Sequence, residues 1–239
     1  MDNHSTDTTR ETAGRVTPLV LMGVLSAVPN ATQALVLRAG PTLFFIDSDM
    51  VLANTVIEQC AKLITEDTAV KGIIIPERSV GEGFWARCKA LERSCYVGDD
   101  TIEAARFFDR GAFEKVDGYD EALTVAEDWK LSQRARGMGS IRRVNAYITH
   151  CEGHLTLRKT MRSKFYYGTT LGRYIRKQPA AATHQLRLVR PAFVRHWCQL
   201  LTCPVLTVGM MIMKGCEFAA GGAGLALAMG QERGISRPA

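Results

Sequence analysis

The segment Thr42 to Val51, TLFFIDSDMV, constrains this chain more than any other. Leu43 to Ile46 is apolar at every position, so it has no polar side to turn to water and reads as a strand covered on both faces, the habit of parallel sheets in α/β domains. A second run of this kind, GIIIP at Gly72–Pro76, follows a stretch in which Val56, Cys60, Leu63 and Ile64 recur at helical spacing. Strand, helix and strand in that order predict a βαβ unit and an α/β fold. With 239 residues the chain can bury a substantial core, and that length suits one domain with an appendage.

Further elements follow. The polar cluster DNHSTDTT is able to cap a helix after it, and Gly81-Glu82-Gly83 reads as a flexible break. In FWARCKALERSCY, residues Trp85, Cys88, Leu91 and Cys95 share one helical face. The segment AARFFDRGAFEKVDGYDE predicts a short strand, a short helix and a turn at Asp117-Gly118. A helix carrying Leu131, Ala135 and Met138 on one side stops at Gly137 and Gly139, and SIRRVNAYITH is the last strand expected.

Seven cysteines, an odd number without a CxxC, predict reduced thiols in a cytoplasmic setting and neither a disulfide framework nor a zinc site. The first ten residues are polar where a cleavable signal sequence would be apolar. Charge is unevenly spread: no Asp or Glu lies between Glu152 and Glu217, a span that holds Arg158, Lys159, Arg162, Lys164, Arg173, Arg176, Lys177, Arg187, Arg190 and Arg195. Beyond it, Leu200–Met213 and Phe218–Met229 are two apolar stretches separated by KGCE. Each is shorter than the ~20 residues of a spanning helix, so two re-entrant or surface-lying helices are expected, with a buried helical hairpin as the alternative. The basic span points to an anionic membrane surface, at its cytoplasmic (inner) face. Phe165, Tyr166, Tyr167 and Tyr174 interleave with its cations, but no nucleic-acid-binding motif accompanies them and no nucleic acid is expected as a partner.

The chemistry sits where strands end. Asp47 and Asp49 follow the first apolar strand, at the carboxyl edge where open α/β sheets bind ligands. In an extended segment residues 47 and 49 project together and Ser48 apart, and two hard oxygen donors on one spot favour Mg²⁺ or Mn²⁺. Glu127 and Asp128 open a helix, whose dipole lowers a carboxyl pKa while desolvation and the neighbouring acid raise it. His150 ends a strand, and imidazole can ligate a metal or hydrogen-bond a phosphate.

In their order, DNHSTDTT, FFIDSDM, GYDEALTVAEDWKLSQR and ITHCEG resemble the family 2 glycosyltransferases over roughly residues 1–175. That resemblance implies a GT-A type, Rossmann-like mixed sheet flanked by helices over 1–177, with a basic and apolar helical appendage at 178–239. It also implies a nucleotide-sugar donor, a divalent cation, inversion at the anomeric carbon and a glycan or lipid-linked acceptor. By the family pattern Asp2 meets the nucleoside and Asp47 the ribose or sugar. Asp49 is the principal metal ligand with Asp47 beside it, Asp128 is the general base supported by Glu127, and His150 holds metal or diphosphate. Family members carry a strand and a helix ahead of this pattern, a βα unit expected to be lacking here, where Asp2 is the second residue. That gap makes a non-catalytic, nucleotide- or membrane-binding relative the alternative.

Overall fold

A computed structural model describes residues 8–16, 40–100, 102–120, 127–177 and 190–235. The chain is mixed α/β. After α1 (Thr9–Val16) come β1 (Thr42–Phe44), β2 (Met50–Leu52), α2 (Val56–Glu66), β3 (Val70–Ile74), β4 (Glu77–Glu82) and α3 (Gly83–Ser94). They are followed by β5 (Ala105–Asp109), α4 (Arg110–Lys115), α5 (Glu127–Arg136), β6 (Ser140–Arg143) and β7 (Ile148–His154). The described chain ends with α6 (Leu157–Lys177), α7 (Pro191–Arg195), α8 (Trp197–Thr202) and α9 (Pro204–Ile235).

Two mixed sheets result, one in the order β1-β5-β3-β6 and the other β2-β7-β4. Both apolar runs contribute a strand, β1 and β3, with α2 between them, but β1 ends at Phe44 and Ile46 beyond it is exposed. The two strands are not adjacent, because β5 inserts between them and pairs antiparallel with each. Burial on both faces is visible in alternating residues. Ile73 and Phe107 pack with Val56 and Cys60 of α2, whereas Ile74 and Phe108 pack with Phe113 of α4 and Leu131 of α5. Apolar alternation alone could not reveal that β5 runs the opposite way.

Three local expectations change. Gly81 and Glu82 are the last residues of β4 and not a loose break; Gly83, at φ +87°, turns the chain directly into α3. SIRRVNAYITH is two strands in different sheets, β6 parallel to β3 and β7 parallel to β4. The apolar tail is a single helix that continues through KGCE, because Lys214 and Glu217 find partners inside the protein. The Asp117-Gly118 turn forms as expected, with both residues at positive φ (56° and 54°). A Cβ on Gly118 would stand 2.6 Å from the Phe113 ring, so glycine is required there for two reasons. All seven cysteines are free thiols.

The tail is seated on the domain. Phe193, Met210 and Met213 pack with Cys88, Leu91 and Tyr96 of α3 and its C-terminal turn. Along α6 the approach is backbone to backbone: a Cβ on Gly168 would lie 2.1 Å from the Gly221 carbonyl oxygen, and one on Gly224 2.1 Å from that of Phe165. Between α3 and α9 four charges close a buried ring. Lys214 Nζ is 2.9 Å from both Glu92 and Glu217, and Lys89 Nζ is 2.9 and 3.2 Å from the same two carboxylates. Tyr96 donates to Glu92 at 2.8 Å. Removing one member strands its partners in low dielectric. Lys214→Met is therefore expected to cost about 3–5 kcal/mol in urea unfolding, and the pair Lys214→Met/Glu217→Leu less than that single change.

Candidate functional site

One rim of the larger sheet collects the charged residues. β1 and β3 deliver their carboxyl ends there, followed by Asp47 and Glu77, and β5, running oppositely, begins there with Ala105-Arg106. The Phe45 N–H donates to the Arg106 carbonyl at 2.9 Å, which fixes the strand end beside it. Arg106 is mostly buried, its side chain 14% exposed. It donates through Nε to Glu77 Oε1 at 2.8 Å, has a second nitrogen 2.7 Å from the same oxygen, and reaches Asp47 Oδ2 at 3.3 Å. Arg93 of α3 adds a contact to the other Glu77 oxygen at 2.8 Å.

Asp47 and Asp49 do not project side by side. The segment is a turn, with the Met50 N–H donating to the Asp47 carbonyl at 3.1 Å, because here the chain leaves the first sheet and enters the second. Asp47 consequently faces Arg106, and Asp49 faces His150, whose Nε2 is 3.1 Å from Asp49 Oδ2. Register makes this second contact: Met50 pairs with His150 across β2 and β7, and the Cys151 N–H donates to the Asp49 carbonyl at 2.7 Å. Both aspartates remain largely open to solvent, at 62% and 52%.

Glu127 and Asp128 open α5 as expected. The Ala105 N–H donates to Ser132 Oγ, which donates to the Asp128 carbonyl, so the first turn of α5 is tied to the start of β5. Tyr119 donates its hydroxyl to Asp128 Oδ1 at 3.0 Å, and Arg134 holds the preceding turn through the carbonyls of Val116 and Gly118. The pKa question left open by the helix terminus is answered by burial. Burial holds the Asp128 carboxyl above its ordinary value against the pull of Arg106 and the Tyr119 hydrogen bond, and Asp47 and Glu77 add to the rise. Glu127 is likewise raised, by burial first and then by Asp128 and Asp47. Asp47 thus lies within the field of the α5 pair.

The structure therefore brings Asp47, Asp49, Glu127, Asp128 and His150 to one region, while Asp2 lies outside the described residues. Three contributors were not read from the sequence: Glu77, Arg106 and Tyr119. Glu77 had a signal, an acid directly after the buried run GIIIP, and so did Arg106, a lone cation in the apolar strand ARFFD. Tyr119 had none, because its role depends on the fold of the 117–118 turn.

Among the described residues no group of three or more His, Cys, Asp or Glu side chains is arranged to hold a metal ion. The donors present nevertheless fit a partial site. Half-exposed Asp49 and mostly buried His150 set one oxygen and one nitrogen 3.1 Å apart, and the buried His150 Nδ1, which has no hydrogen-bond partner, stands 3.8 Å from Glu77 Oε2. A carboxylate behind the far nitrogen is the usual support for a metal-binding imidazole. It also raises the His150 pKa, against the effect of burial. The remaining ligands of a hard cation would come from phosphate and water. Comparisons with known proteins give no match, either to a family model or to a curated sequence.

Burial alone would raise the Glu77 carboxyl, but His150, Arg106 and Arg93 pull it from the ordinary 4.5 to about 2. The stability this depression contributes is complete above pH 4.5 and is lost as pH falls toward 2. Glu77→Gln is expected to flatten the acid-induced fall in Tm over that window, checked by thermal melts; a slope unchanged from that of the parent protein would refute the coupling.

Proposed function

We propose that this chain is an inverting glycosyltransferase of GT-A type that moves a sugar from a nucleotide-sugar donor to a hydroxyl acceptor, a glycan or a lipid carrier. The observation that carries the reading is the division of labour across Arg106. On one side, half-exposed Asp49 pairs with His150 in an arrangement suited to cation and diphosphate; on the other lies a buried carboxyl, Asp128, with a raised pKa. The resemblance of the segments around these residues to family 2 glycosyltransferases agrees with that division.

Asp49 and His150 would hold Mg²⁺ or Mn²⁺ together with the donor phosphates, while Asp47, turned toward Arg106, would meet the ribose or sugar. A cation held there supplies charge neutralisation for a diphosphate leaving group. Asp128 takes the proton of the acceptor hydroxyl as that oxygen attacks the anomeric carbon from the face opposite the leaving group. Glu127, adjacent and partly buried, orients the acceptor. Arg106 keeps Asp47 and Glu77 compensated, so that the carboxylates crowding the rim do not all repel one another. Tyr119 fixes one oxygen of Asp128 and leaves the other for the incoming hydroxyl.

The test is release of nucleoside diphosphate from a panel of nucleotide sugars with Mn²⁺ and an acceptor mixture. Asp128→Asn is expected to lower kcat by about 10²–10⁴-fold. Because Asp128 must be deprotonated to act, the rate rises with pH through its pKa. Tyr119→Phe removes a bond that stabilises the charged form and so shifts this acid limb to higher pH. Turnover that survives Asp128→Asn unchanged, or no turnover with any donor, contradicts the proposal and leaves the non-catalytic relative in its place.

A further inference from the structure

The C-terminal helix has its polarity inverted. Between Pro204 and Gly230 its only charged residues are Lys214 and Glu217, and both are buried against α3. Every exposed position over the same stretch is apolar or glycine, including Val205, Val208, Met211, Ile212 and Leu227. A helix on the surface of a water-soluble protein does the opposite, turning charges outward and an apolar stripe inward. At 1.5 Å per residue this face runs for about 40 Å, well beyond the scattered apolar residues that a soluble surface tolerates. By length and composition the helix could cross a membrane. Its middle, however, is held to α3 by the Lys89–Glu92–Lys214–Glu217 ring and its later turns to α6 by the Gly168–Gly221 contact, so one side belongs to the domain along its length.

We infer that the outward face of α9 lies in the surface of an anionic lipid bilayer, parallel to its plane, and seats the domain on the membrane. Charge selects this occupant over a second copy of the chain. α6, packed along α9, presents Arg158, Lys159 and Arg162 to solvent, and no Asp or Glu occurs between Glu152 and Glu217 to offset them. Two like-charged faces would repel, whereas anionic headgroups attract each such cation. α8, which packs on α9, adds exposed Trp197 and Leu201, and tryptophan favours the boundary between headgroups and acyl chains. This inference stands independently of sugar transfer, since it rests on no catalytic residue.

The experiment is flotation of the full chain with vesicles of phosphatidylcholine alone or mixed with phosphatidylglycerol. The protein is expected to float with the anionic vesicles and more weakly as salt rises. Val208→Glu/Ile212→Glu is expected to lower that partition by about tenfold or more at an unchanged melting temperature, because carboxylates must then enter the acyl region. Ile57→Glu, an equally exposed apolar position on α2, is expected to float like the parent. A second readout needs no α9 variant: brominated phosphatidylglycerol is expected to quench tryptophan emission, and to quench it less in Trp197→Phe. The inference is overturned if the parent stays unbound, or if the double glutamate variant floats equally well. It is also overturned if the chain without lipid is a dimer that Val208→Glu/Ile212→Glu splits, which would assign the face to a second copy. Because vesicles contain no donor or acceptor, flotation and turnover can fail separately.

Discussion

One guanidinium holds the rim together. Arg106 neutralises Glu77 directly, touches Asp47, and lies close enough to Asp128 to pull on its pKa. Five carboxyl groups, Asp47, Asp49, Glu77, Glu127 and Asp128, share this region, and His150 and Arg93 also face Glu77. Leaving a buried carboxylate without a partner costs about 3–5 kcal/mol, and Arg106 shares with Arg93 and His150 the task of preventing that at Glu77. The neighbouring acids nevertheless behave differently. Glu77 is pulled down by His150 and by Arg106 and Arg93 against its burial, whereas Asp128 is raised by burial against the pull of Arg106.

The topology is what puts it there. If β5 ran parallel to β1 and β3, its first residues would emerge at the opposite edge of the sheet and Arg106 would be far from both acids. As an antiparallel insertion it brings the start of one strand to the ends of two others. The crossing from β1 to β2 then moves Asp49 to the second sheet, where register sets it against His150. From the same sheet, β4 leads through Gly83 into α3, and α3 carries the buried charge ring that fixes α9. A continuous run of packed elements therefore links Glu77 at the rim to the last helix.

Sequence periodicity carried much of this and stopped at identifiable points. The apolar runs at 43–46 and 72–76, the stripe of α2 and the Asp117-Gly118 turn were legible because each is determined by its own residues. The insertion of β5 was not, since ARFFD has the same composition whichever way it runs. The turn at 47–50 was missed because the transfer between sheets depends on pairing with β7, a hundred residues away. KGCE looked like a break in the tail for the same kind of reason: two charges read as solvent-facing until Lys89 and Glu92 appear opposite them. Asp47, Asp49, Glu127, Asp128 and His150 could be chosen as candidates from their positions at strand and helix ends, but their common neighbour, Arg106, came into view only with the fold.

On this proposal, half-exposed Asp49 and its partner His150 make half of a cation and diphosphate site completed by the ligand itself. Thermal unfolding of the full chain with a nucleoside diphosphate sugar, with Mn²⁺, and with both tests it most directly, because a ligand that binds the folded state raises Tm. The predicted result is a rise with both together that exceeds the sum of the separate effects and disappears in Asp49→Asn. Additive effects, or a rise that Asp49→Asn leaves intact, would contradict it.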